Sequence, residues 1–103
     1  MKYNDFKRML EEFPSIFDTF MIRATEHQNV KNDNRKGKKW DERKIEKVVN
    51  NMWETFAQNV YGKVKESGAP SKAVDYKAAW IKHMEEKEFF DTLYDAVGEM
   101  EFD

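Results

Sequence analysis

At 103 residues, 40% hydrophobic and 37% charged, with a net charge of -2, the chain is long enough for one core and too short for two. Its content of large apolar side chains excludes intrinsic disorder. The lack of cysteine excludes disulfides, thiolate metal sites and thiol nucleophiles.

No apolar run approaches the roughly 20 residues of a bilayer span, so no membrane association is expected. Asn4, Asp5, Lys7 and Arg8 occupy the stretch where a secretory signal would be apolar, and a cytoplasmic location is expected.

In the first segment Phe6, Met9, Leu10, Phe13, Ile16, Phe17, Phe20, Met21 and Ala24 recur at three- and four-residue spacings, which predicts one helical stripe. Asn4 or Asp5 is a candidate cap for its start. Pro14 removes a backbone donor and clashes with the carbonyl of Leu10, so a break is expected there. A second helix, capped by Phe13 or Ser15, would then run to about His27, with one kinked helix as the alternative. From Gln28 to Lys39 only Val30 is apolar, which predicts an exposed basic loop over about 28–40.

The best-defined helix is predicted over about 41–67, with Ile45, Val48, Val49, Met52, Trp53, Phe56, Val60 and Val64 on one face. Asp41 suits its cap, and Trp40 is placed to fold against Ile45 as a staple. Gly68 and Pro70 supply the stop. Ser71 is expected to cap a further helix bearing Val74, Ala78, Ile81 and Met84, with Tyr76 and Trp80 at its flank. The next stripe, Phe89, Phe90, Leu93, Tyr94 and Val97, lies nearly opposite on a helical wheel. That predicts a break within Glu85 to Glu88, or one face left for a partner. Nothing alternates with period two, so the expected fold is all-α, a compact bundle of four or five helices forming a single domain over 1–103.

Constellations for catalysis are missing. His83 and Glu86 could share a helical face, but no further metal ligand joins them, and a solvent-facing histidine is the simpler reading. Glycines 37, 62, 68 and 98 are too far apart to cradle a phosphate. No serine sits in a nucleophile elbow. The turn from Lys65 to Val74 only faintly resembles a helix-turn-helix, because the helix before it is too long and Val64 stands where a small residue is needed. Neither an enzymatic activity nor a cofactor is expected.

Charge is distributed unevenly. Between Lys31 and Lys44 seven bases, Lys31, Arg35, Lys36, Lys38, Lys39, Arg43 and Lys44, face three acids, for a net +4. Those cations, with Trp40 to stack on an unpaired base, form a candidate nucleic-acid surface. Between Glu85 and Asp103 eight acids face one base, for a net -7. There Asp91, Asp95 and Glu99 alternate with Phe89, Phe90 and Tyr94, an arrangement suited to aromatic anchors inside a charged rim.

Fifteen aromatics in so small a chain suggest more rings than one core holds, and hence a protein partner or a homo-oligomer. The expected function is that of a small regulatory or inhibitory protein acting through Phe89, Phe90, Tyr94, Asp91, Asp95 and Glu99. The alternative is a nucleic-acid accessory protein using the basic segment 31–44. A self-assembling structural protein is a third class.

Overall fold

Pro14 sets the architecture. Its missing N–H and its clash with the preceding turn end α1 (Tyr3–Glu11), and as the first residue of α2 (Pro14–Asp33) it starts the next helix where no donor is needed. The break is therefore complete. The computed structural model describes residues 1–102, and among them there are five helices and no strand. The expected all-α bundle is what the chain forms. The remaining helices are α3 (Glu42–Glu66), α4 (Tyr76–Glu86) and α5 (Phe89–Glu99).

The spine is α3, about 37 Å long at 1.5 Å per residue. Asp41 caps it by accepting from the Lys44 amide at 2.9 Å, and Lys63 and Lys65 oppose the dipole at its last turn. Ile45, Val49, Trp53, Ala57, Val60 and Val64 are its buried row. Trp53 is the centre of the core, 2% exposed, with Phe17 and Phe20 edge-on to it at 4.9 and 5.2 Å. Burying a tryptophan of this size contributes on the order of 4–6 kcal/mol.

Both α1 and α2 run antiparallel to α3, one after the other along its length. Near one end Tyr3 meets Tyr61, in the middle Glu11 meets Trp53, and at the far end Asn32 meets Trp40. The second broken pair lies on the first. In α4, Trp80 contacts Phe6 at 5.7 Å and stacks on Tyr61 at 5.5 Å. In α5, Phe90 stacks on Phe13 at 4.5 Å, and Arg23 donates to the carbonyls of Gly98 and Met100. Helices α2 and α5 therefore run parallel.

Four expectations need correction. Helix α1 starts at Tyr3 with Lys2 in the capping position and no side-chain cap, so Asn4 and Asp5 lie inside it. Helix α2 continues to Asp33, because Gln28, read as the first loop residue, is buried against α3 with its amide 3.4 Å from the Met52 sulfur. The connection is thus 34–41, shorter than 28–40. Ser71 caps nothing: α4 starts at Tyr76, where Asp75 accepts from the Ala78 amide at 3.1 Å. Val74 and Ala78 are exposed, and Trp80, expected at the flank, is buried with Met84. The larger apolar area of tryptophan decides which face turns inward.

The break between α4 and α5 falls within the expected window. Leu93 lies about 220° around a continuous helix from Trp80 at ~100° per residue, so one straight helix could not bury both. The chain reverses phase through Glu88, which takes a left-handed φ of 58°.

Candidate functional site

The outer face of α5 is acidic because its inner face is fully used. Leu93 and Val97 are buried, and Phe89 and Phe90 are half-buried against the core. Asp91, Asp95 and Glu99, four residues apart, fall on the solvent side and are exposed. Of the three expected anchors only Tyr94 presents its ring, 56% exposed. Phe89 and Phe90 pack against the core and are partly covered, Phe90 by stacking on Phe13. The acidic run reaches Glu101 on the α2 flank, where a hollow is lined by Arg23, Glu26, His27, Val30 and Phe102. Asp103, the last acid of the run, lies outside the described residues.

The basic connection is built rather than slack. Asn32, in the last turn of α2, accepts from the Trp40 amide at 2.7 Å and donates to the Trp40 carbonyl at 2.9 Å. Lys39 donates to the carbonyls of Asn32 and Asp33 at 3.2 and 2.6 Å, placing a cation on the carbonyls at the α2 C-terminus. Gly37 turns the chain with φ of 94°. Trp40 is half-buried and packed on the core, with the Arg35 guanidinium 4.1 Å and the Lys44 ammonium 5.3 Å from its ring.

Trp40 is therefore engaged within the fold, and an unpaired base would have to displace Arg35 or Lys44 to stack on it. The side chains of Lys36, Lys38 and Arg43 are exposed and make no hydrogen bond, ion pair or ring contact among the described residues. Lys31 is exposed but engaged.

One contact resembles catalytic geometry, and its polarity argues otherwise. His83 is half-buried rather than solvated, and its Nε2 lies 2.8 Å from the Ser67 hydroxyl. The single hydroxyl proton of Ser67 is directed to the Val64 carbonyl at 2.6 Å. Nε2 must then donate to Ser67, whereas a general base would accept. The pair ties the end of α3 to α4. No group of three or more His, Asp or Glu side chains that could hold a metal occurs among the described residues.

A groove of about 760 Å³ lies between α1 and α4 and is lined by residues including Arg8, Asp5, Glu12, Tyr61, Tyr76 and Lys77. Its charges are mixed, and Lys77 pairs with Glu12 at 2.7 Å. Sequence reasoning missed this groove because it depends on how α4 crosses α1. No helix among the described residues is long and apolar enough to cross a membrane. No model of a known protein family, no curated protein and no solved structure matches the chain.

Proposed function

We propose that this is a small non-enzymatic regulatory or inhibitory protein of the cytoplasm that docks the acidic face of α5 on a basic protein partner. The observation that supports it is Tyr94, a large ring standing 56% exposed on a helix whose other wide apolar side chains are covered. Asp91, Asp95 and Glu99 share its solvent-exposed surface. A tyrosine gives contact area at low entropic cost and a hydroxyl for a partner, while the carboxylates speed encounter with a cationic surface.

Affinity capture from the native host, with the wild type and variants immobilised side by side and bound proteins quantified by mass spectrometry, tests this. A partner set retained by wild type and by the exposed control Asn50→Ala, but reduced at least tenfold by Tyr94→Ala and by the triple variant Asp91→Asn, Asp95→Asn, Glu99→Gln, is the expected result. Identical captures from all four proteins would refute the α5 surface.

A further inference from the structure

The basic end of the molecule carries a different function from the acidic face. We propose that segment 34–44 docks on the phosphodiester backbone of duplex DNA, with Lys36, Lys38 and Arg43 supplying the phosphate contacts.

Three observations lead to that occupant. First, the cations divide by employment: Lys39 holds the end of α2, while Arg35 and Lys44 lie on Trp40. Lys36, Lys38 and Arg43 have nothing to do within the fold, and three unspent cations within eight residues attract closely spaced negative charge. Second, the backbone that carries them is fixed in advance by the Asn32 clamp on Trp40 and by the Asp41 cap of α3. Little ordering entropy then opposes docking. Beside the tip is a hollow of about 420 Å³ lined by Lys38, Lys39, Trp40, Asp41 and Lys44, cationic on balance and wide enough to seat a phosphate.

Third, the covered ring of Trp40 decides between nucleic acids. Single strands are held chiefly by stacking their bases on aromatic side chains, and here the one aromatic of the segment is engaged by Arg35 and Lys44. With stacking obstructed, phosphate contacts predominate. A duplex, with one charge per ~1.7 Å, presents these most densely. The acidic tail of α5, with Glu101 beside Val30 and His27, repels a duplex lying along the molecule. Contact is thereby confined to the loop end and is sequence-independent.

Fluorescence anisotropy of a labelled duplex of about 20 base pairs, titrated with the full chain over a range of salt, reads the number of contacts. Three phosphate contacts give a slope of log K against log salt of about -2.7, or roughly fortyfold weaker binding at 200 mM than at 50 mM. The triple variant Lys36→Gln, Lys38→Gln, Arg43→Gln should keep its helical circular dichroism and lose at least tenfold affinity at 50 mM, with a nearly flat slope. Its double variant Lys36→Gln, Lys38→Gln should retain a slope of about -0.9.

No binding at about 100 µM protein in low salt overturns the proposal, as does an unchanged slope in the triple variant. A single strand of equal length that binds more tightly and quenches Trp40 overturns it, because stacking would then be at work. Polyglutamate competing as well as unlabelled duplex would point to an acidic protein instead and equally overturn it.

Discussion

Tyr3, Lys7, Glu11, Trp53 and Glu54 show how single residues fasten the first helix to the spine. The Trp53 indole, buried, donates to Glu11 at 2.8 Å, and Lys7 lies 3.1 Å from Glu11 and 3.6 Å from Glu54. An indole N–H is costly to bury unpaired, so Glu11 is placed by the core as much as by its own helix. The Tyr3 hydroxyl donates to the Glu54 backbone carbonyl at 3.3 Å. Burial first, then hydrogen bonding to the Glu54 side chain and the charges of Glu54 and Glu11, push its pKa from 10.0 up to about 12. Folding therefore favours the protonated phenol. Its contribution to stability is complete below pH 10 and is lost as pH rises through about 12. The difference in urea-unfolding free energy between wild type and Tyr3→Phe should be constant from pH 7 to 9.5 and fall between pH 10 and 12. A difference that does not move with pH would show that the phenol is not the titrating group. The tyrosine's place on a helix can be read from sequence, but its partner, 51 residues away, cannot.

At the scale of elements, α3 was the most legible because its signals agree: a cap at Asp41, an unbroken apolar row and a Gly68–Pro70 stop. Gly62 is its one weak link, and a Cβ built there meets nothing within 4 Å. Gly62→Ala should therefore raise stability by about 0.5–1 kcal/mol through the entropy of the unfolded chain, measured as a higher urea midpoint at constant m. Destabilisation would mean that the space is not open. The breaks at Pro14 and Glu88 were legible for different reasons, one from the chemistry of proline and the other from two stripes out of phase. The starts of α4 and the end of α2 were not. At Ser71 a good cap stood before a segment whose apolar residues were too small to hold it down, and Trp80 recruited the chain to another face. At Gln28 a polar residue was buried because α3 lay beside it, which no local pattern announces.

The whole molecule measures 53 × 23 × 21 Å, with a Cα radius of gyration of 15.7 Å against about 13 Å for a rounder chain of this length. In a bundle this slender the core is drawn out along the long axis, where Phe6, Phe20, Trp53 and Trp80 are buried and further rings pack partly covered against them. That resolves the apparent surplus of aromatics: of fifteen, only Tyr94 is exposed, and the others are fully or partly buried within one chain. A second copy is not needed to cover them. Small-angle scattering at micromolar concentration should give a radius of gyration near 16–17 Å, the Cα value enlarged by side chains and hydration, and a dimer would exceed it clearly. From the sequence alone came the helical class, the spine, both breaks and the two poles of charge, all of which follow from spacing and composition along the chain. Only the tertiary structure decided which aromatics are spent in the core, that Trp40 is covered and Tyr94 is not, and which cations remain unpaired. Those outcomes depend on neighbours distant in sequence, since a side chain's employment is fixed by what packs against it.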